Sequence, residues 1–573
     1  MSTRDRGGSE PASEEAVRPP RRHALASAWR LAGLFLLPAL LAWIILRARL
    51  VAWPYGFDMG DEGYFNVVAW KMLEGWPLYH DLQSVYTPGL HLLQAAIFRL
   101  FEPTAYYGKG INLCTMLPVG VMLYFLLRLY IHPLLAFLGA CYLPAVANGY
   151  YPGHVPVFAA LLLMAWGGYE RSAVAHWTAG LLLGLGILGK HEVGIAGLAG
   201  CLAATLFLCC QAKGPGGFRS AVSASVRLLL AALAPVAAFV LYEALRGYWN
   251  DVFYFLWVAP RHWSKFLATR PLLPLFPPSG SGLPFLFAFV RRVDFYTPLF
   301  LVPVGLAVLG WRLRKGRASR LDAVLLAPAI MSGLLMILVL TARDVYHLHS
   351  CRLPGLVLEA FLFVWGFGWL RQAVKRGRQV AQLIWIAPTL VFLAVATLWT
   401  TRLPEYILLF VHTVGRGQPG AEPAEALMLA TWEQPMIPHA GPIRLPPEQR
   451  WMWERAVTYV QAYSRPGKSV FVAPGAPALY FFAERDPPTR FLLFYPGMVD
   501  KPHEGEIIRD LARNDIQIVA FSWPPEQDFC GQSFAQQCPD LYRWVLANFR
   551  KDEVIGNLEF YLRPGPQPLS APP

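Results

Sequence analysis

Charge is what this chain has least of. Only 15% of its 573 residues are Asp, Glu, Lys or Arg, while 55% are hydrophobic and the mean hydropathy is +0.37. So little polar surface excludes a soluble protein of this length and places most of the chain in lipid. A removable leader is also missing. The polar, Arg-rich first 30 residues run straight into LAGLFLLPALLAWIIL, which is too long and lacks a small-residue cleavage site, so it reads as a retained anchor. Metal-site cysteine spacing is absent: Cys114, Cys141, Cys201, Cys209, Cys210 and Cys351 sit in or beside apolar runs and read as packing residues. Cys530 and Cys538 lie in a polar C-terminal part and could pair if it faces an oxidising compartment. The formal charge of +13 does not imply nucleic acid. Lys and Arg fall mainly in short loops between apolar runs, as the positive-inside rule produces.

What the chain does have is long apolar runs. They occur near residues 31–50, 109–130, 134–147, 155–168, 176–189, 193–210, 228–245, 295–311, 321–341, 353–370 and 380–400, with a shorter run at 88–101. The N-terminal arginines, AKGPGGFRS, WRLRKGRASR (311–320) and RQAVKRGRQ (371–379) mark cytoplasmic loops. Residues 51–87, 247–294, 342–352 and everything after about 401 then face the other side. A cytoplasmic start and an external end need an odd number of spans, whereas twelve runs are present, so one run in 88–210 does not count as a single crossing.

Three parts follow: a polar, disordered cytoplasmic tail (1–30), a transmembrane domain (31–400) with a first external loop (51–87), and an extracytoplasmic part (401–573). After Thr401 Pro, Gly and charge rise and apolar runs shorten. SVFVAP (469–474), IQIVAFS (516–522) and VIGNLEFYLR (554–563) read as strands, with amphipathic helices between them. This predicts a small α/β domain of roughly 120 residues. No GxGxxG or P-loop pattern accompanies it, so nucleotide binding has no support.

The stretch GFDMGDEGYF (56–65) sets Asp58, Asp61 and Glu62 just after the first apolar run. Phe65, Val68, Ala69, Met72 and Leu73 then recur at helical spacing, and Gly75 ends the pattern. With Trp70 and Trp76 at its ends, this predicts a helix lying on the membrane surface, with Asp61 at its N-cap. Capping needs one acidic residue. Three carboxylates beside an apolar wall repel one another and call for a partner cation. Tyr79, His80, Asp81, Tyr86 and His91 follow before the chain re-enters the membrane.

DEGYFNVVAWKMLEGWPLYHD (61–81), with Tyr86, Pro88, Gly89 and the apolar run to Leu93, resembles the first external loop of the GT-C membrane glycosyltransferases. The protein O-mannosyltransferase and aminoarabinose transferase (PMT-like) branch is the most similar. GLLLGLGILGKHEVG (180–194) and ARDVYHLH (342–349) are similar to two further family segments. The resemblance implies a GT-C-like, polytopic α-helical membrane protein of about 11–13 transmembrane helices with a C-terminal extracytoplasmic α/β domain, set in a bacterial inner (plasma) membrane. It implies transfer of a sugar from a polyprenyl-phosphate-linked donor to an acceptor hydroxyl, with inversion, Asp61 as general base and Glu62 beside it. The departing lipid phosphate needs cations, for which Lys190, His191, Arg343 and His347 stand as candidates. Asp58, Tyr64, Tyr79, Asp81, Tyr86 and His91 are the candidate pocket. Asp58, Asp61 and Glu62 could also hold a divalent cation through oxygen ligands.

The branch carries a Lys where Thr87 precedes Pro88 and an Arg where Tyr64 stands. Two expected phosphate contacts are therefore replaced, and the sugar does not carry over from that branch. The acceptor, whether protein, lipid or glycan, is open. A multi-span transporter or flippase is the alternative, since many spans with buried polar residues describe those too. No matching halves support it, and a carboxylate cluster in a loop followed by a large polar tail favours the enzyme.

Overall fold

The computed structural model describes residues 31–141, 143, 152–211, 217–267, 282–342, 348–375, 431–529 and 532–565. The membrane part begins with a π-turn (Ala32–Leu36) running into α1 (Leu37–Ala52). Then come α2 (Asp61–Leu73), α3 (Pro88–Leu100), α4 (Gly110–Arg128), α5 (Pro133–Ala140), α6 (His154–Ala165), α7 (Ala173–Gly189) and α8 (His191–Gln211). They are followed by α9 (Gly217–Leu245), α10 (Ala259–Leu267), α11 (Gly282–Arg314), α12 (Arg320–Ala342) and α13 (Leu348–Lys375). Seven described helical stretches, in α1, α4, α8, α9, α11, α12 and α13, are long and apolar enough to cross a membrane; α6 and α7 are shorter apolar helices. The run expected at 380–400 lies outside the described residues.

Small residues let these helices approach closely. A Cβ at Gly180 would meet the Leu228 carbonyl oxygen at 2.4 Å and the Ala231 methyl at 2.5 Å; one at Gly184, a turn later, would meet the Ala232 carbonyl at 2.3 Å. Gly200 of α8 is as tight against Ala327 of α12. Packing through small residues is how helices associate in lipid, where burying apolar surface gains nothing. Leu181 and Leu185 of α7 and Leu230 and Leu233 of α9 point outward, as lipid-facing side chains should. Cys141, Cys201, Cys209 and Cys351 are buried packing residues as expected, whereas Cys114 faces outward.

The C-terminal part is an α/β domain: α14 (Pro447–Tyr463), β1 (Phe471–Ala473), α15 (Ala478–Ala483), α16 (Lys501–Arg513), β2 (Ile518–Phe521), a short hairpin of β3 (Asp528–Phe529) and β4 (Gln532–Ser533), α17 (Pro539–Asn548), β5 (Arg550–Ile555) and β6 (Leu558–Leu562). The main sheet has the order β1-β2-β6-β5, with β1 parallel to β2 and the other pairs antiparallel. VIGNLEFYLR, read above as one strand, is the turn and second arm of a hairpin. Gly556 takes φ +61°, which an L-residue resists, and the chain reverses there. The Cys530–Cys538 pair involves a residue outside the described set; Cys538 itself is buried in the domain.

This domain roofs the first external loop. Gln83 donates its backbone N–H to the Arg490 carbonyl (2.8 Å), and its side-chain oxygen accepts from the N–H groups of Leu492 (2.9 Å) and Leu493 (3.0 Å). The predicted surface helix is α2, and it does not lie on the bilayer. Tyr64 to Ala69 and Lys71 are buried, and Trp70 packs on His439 and Phe481 of the roof. Gly63 makes the fit possible, since a Cβ there would stand 2.6 Å from that of Ala478. Lys71, nearly water-free, is held by Asp486 of the roof (2.5 Å) and Glu74 (2.7 Å).

α3 is one apolar run in 88–210 that is not a crossing. Gln83, five residues before it, is bonded to the roof, and Phe98 near its end stacks on Phe481 of the roof at 6.0 Å. Both ends therefore lie on one side. Thirteen residues reach about 20 Å, short of the ~30 Å hydrocarbon core. The helix is too short to cross; among the described residues seven helices are long and apolar enough to do so.

Candidate active site

The loop between α1 and α2 is built from backbone bonds. Gly56 turns the chain at φ +72° and donates its N–H to the Arg444 carbonyl of the roof (2.9 Å). Asp58 accepts the Gly60 N–H through Oδ1 (2.8 Å) and the Gly63 N–H through its carbonyl (3.0 Å), while Glu62 Oε2 accepts the Asp58 N–H (3.0 Å). Asp61 was expected at the N-cap. Gly60 is the N-cap instead, no side chain caps this helix, and Asp61 is its first residue, in the positive end of the helix dipole. Asp58 and Glu62 each accept a backbone N–H of the loop through their side chains.

Asp61 lines a cavity. A space of about 300 Å³ is lined by Phe57, Asp58, Met59, Gly60 and Asp61 on one side and by Gly475, Tyr495 and Trp523 of the roof on the other. Glu62 is not brought to it. Adjacent helical residues point about 100° apart, and the partly buried Glu62 faces a tightly packed polar pocket with Asn66, Gln94 and Lys109. Burial raises its carboxyl above the usual range, and the nearby Lys109 ammonium opposes that.

Below Asp61 lies a layer of rings. Tyr64, Phe65, Tyr86 and His91 pack with centroids 5.1–6.4 Å apart. Tyr64 donates its hydroxyl to the Gln83 carbonyl (2.6 Å), Tyr79 to the Tyr86 carbonyl (2.8 Å), and His91 Nε2 meets Ser84 Oγ at 2.7 Å. Tyr64, Tyr79 and His91 are fully packed and do not line the cavity. Tyr86 is the partly open one. Burial holds its phenol well above the ordinary value, reinforced by the charges of Asp61 and, more weakly, of Tyr495, Tyr64 and Glu192. Asp81 is not in this assembly; it is half exposed beside His80, which bonds Asp251.

Glu192 lies with the predicted cations Lys190 and His191. Lys190 is the single extended residue (φ −161°, ψ 105°) between α7 and α8. Its Nζ lies 3.4 Å from Ser350 Oγ and 3.8 Å from Glu192, and His191 Nδ1 is 3.3 Å from Glu192. Helix starts gather here. Gly89 of α3 lies on Leu188 and Gly189, Gly153 before α6 lies on Lys190, and His154 Nε2 is 3.4 Å from the Ser350 carbonyl of α13. The first turns of α3, α6, α8 and α13 thus bring four positive dipole ends to one place, a setting that favours anions. Arg343 and His347 lie outside the described residues. Among the described residues, no three His, Cys, Asp or Glu side chains group so as to hold a metal ion, the trio Asp58, Asp61 and Glu62 included.

No family model matches the chain, and no curated protein matches it. Two solved structures are similar over nearly the whole length. ArnT from Cupriavidus metallidurans bound to undecaprenyl phosphate is 13% identical over 93% of this chain and 98% of that one, with a TM-score of 0.48. ArnT from the same organism in the apo state is 12% identical over 91% and 98%, with a TM-score of 0.45. Neither likeness carries a residue role across.

Several residues of the assembly were not singled out from sequence. Lys109, Gln83 and Ser350 had no motif around them, and Tyr495 and Trp523 lie over 400 residues from Asp61. Only Lys109 left a trace, as a charge at the edge of an apolar run, which is unusual enough to mark a position for inspection.

Proposed function

We propose that this chain is a membrane glycosyltransferase that moves a sugar from a polyprenyl-phosphate-linked donor to an acceptor hydroxyl on the extracytoplasmic face. One observation carries the reading: Asp61 lines a 300 Å³ space between the first external loop and the roof domain. A separate group, Lys190 and His191 with Glu192 among four helix starts, is suited to an anion. The donor class follows from the resemblance of residues 61–93 to the GT-C first loop, and the outward-facing leucines of the bundle suit a polyprenyl tail.

In the reaction, the Asp61 carboxylate takes the proton of the acceptor hydroxyl as its oxygen attacks C1 of the sugar. The bond from C1 to the phosphate oxygen breaks, its electron pair leaves with the polyprenyl phosphate, and C1 inverts. One base suffices and no covalent enzyme intermediate forms. Lys190, with the four helix starts around it, stabilises the charge growing on the leaving phosphate. His191 lies beside it, and Arg343 and His347 remain candidates for the same role.

The test is transfer from labelled polyprenyl-phosphate sugars to a membrane extract by purified protein in nanodiscs. Wild type labels a component of the extract and Asp61→Asn does not. Equal labelling by both removes Asp61 as the base. No transfer from any donor, together with facilitated movement of a lipid-linked substrate between leaflets, would make the chain a flippase.

A further inference from the structure

The tightly packed polar pocket around Glu62 and Lys109 shares neither residue with the cavity that Asp61 lines. Lys109 fills the single-residue break between a short helix (Ala105–Gly108) and α4. Its ammonium donates to the carbonyl of Tyr55 (2.8 Å) and to that of Gly56. Glu62 closes the other side by accepting the Asp58 N–H. Between them the two side chains hold residues 55, 56 and 58, so both limbs of the loop that carries the cavity wall are tied to α2 and α4. Gln94 donates to Asn66 (2.9 Å) across the same pocket, and packing leaves it no free volume for a water. A Cβ at Gly108 would fall 2.2 Å from the Asn66 oxygen, so the fit depends on that glycine.

We infer that Lys109 and Glu62 are a pair of positioning residues: an internal cation and anion that fix the 55–60 loop and so set where Asp61 stands in the cavity. Neither touches substrate. The inference rests on the reading of Asp61 as the base for its effect on rate, but the clamp itself is a statement about the loop and is tested apart from transfer. Two partly buried charges, Glu62 of α2 and Lys109 before α4, are a poor way to gain stability. They suit a loop whose backbone must be held in one place. Backbone carbonyls and an amide are the partners, so side-chain identity in the loop stays free for substrate.

The experiment uses full-length protein in nanodiscs. It compares Glu62→Gln, Glu62→Ala, Lys109→Arg and Lys109→Met by amide hydrogen exchange over residues 56–63 and by transfer kinetics. Glu62→Gln keeps an oxygen for the Asp58 N–H and stays within about threefold of the wild-type rate. Glu62→Ala and Lys109→Met speed exchange across 56–63, leave the β2 and β6 amides unchanged, and lower kcat at least about tenfold with donor KM held. Lys109→Arg, which keeps charge and donors, recovers most of that loss. Unchanged exchange in both Glu62→Ala and Lys109→Met overturns the clamp. A Glu62→Gln variant as inactive as Glu62→Ala, with exchange unaltered, also overturns it and makes Glu62 a proton-transfer group. If the wild type transfers no sugar at all, the enzyme reading falls while the exchange arm still decides the clamp.

Discussion

The first turn of α2 carries two adjacent carboxylates whose surroundings have little in common. Asp61 looks into about 300 Å³ of open space shared with the roof. Glu62 looks into a pocket filled by Asn66, Gln94 and Lys109, and accepts a backbone N–H. One side leaves room for a reacting molecule, and the other leaves none. The contrast teaches that an acidic cluster in sequence is not one functional unit. A step of 100° around a helix is enough to send one carboxylate to chemistry and the next to scaffolding.

The largest effect expected from breaking this contrast is at the open side. Asp61→Asn should lower kcat by about 10²- to 10⁴-fold, with donor affinity retained, measured as single-turnover transfer beside binding of labelled donor. At the proposed anion site, Lys190→Ala should weaken donor binding about 10- to 100-fold through the loss of one charged hydrogen bond. Equilibrium binding of a polyprenyl phosphate without sugar reads this out. An equal loss for a neutral polyprenol would remove Lys190 from the phosphate.

A smaller effect comes from prising the two regions off the roof. Gly63→Val sets atoms where Ala478 already stands, and overpacking of that kind costs about 1–3 kcal/mol. Denaturation in nanodiscs should show the loss, and an unchanged Tm would mean that α2 and α15 separate freely. The smallest effect concerns the closed side and pH. Glu62's carboxyl is raised in the folded protein by burial, so the folded state holds a proton that the unfolded state has released. Its contribution to stability is then fullest below the usual carboxylate range and is lost as pH rises through the raised value. The Tm of wild type relative to Glu62→Gln should fall as pH climbs through that window, and a flat difference would remove the buried carboxyl as the cause.

Much of the fold was legible because periodicity and apolar run length report directly on what each segment can bury. The crossing helices α4, α8, α9, α12 and α13 fall where the runs place them, and α14, α16 and α17 where the amphipathic patterns do. The misreadings have a common cause. α2 has aromatic ends and an apolar face, which is what an interfacial helix needs, but the same pattern also suits a helix covered by a folded domain on its remaining faces. α3 is apolar enough to look like a span and too short to be one. VIGNLEFYLR alternates like a strand, and only the Gly556 backbone turns it into a hairpin.

The candidate site was legible in part. Asp61 stood out because carboxylates beside an apolar run are costly, and Lys190 for the same reason within its glycine-rich stretch. Lys109, Gln83 and Ser350 are ordinary residues whose importance lies in the backbone groups they meet.

By itself, the sequence determined that this is a many-spanning membrane chain with an acidic first loop and an α/β tail. Burial of apolar surface and the sidedness of basic loops are local properties of each segment. Which carboxylate faces a cavity, which tyrosines are packed away from it, and how the tail closes over the loop were decided only by the tertiary structure. Those facts depend on contacts such as Gln83 with Leu492 and Gly63 with Ala478, more than 400 positions apart. Their partners are backbone groups and close approaches that leave no pattern in the order of side chains.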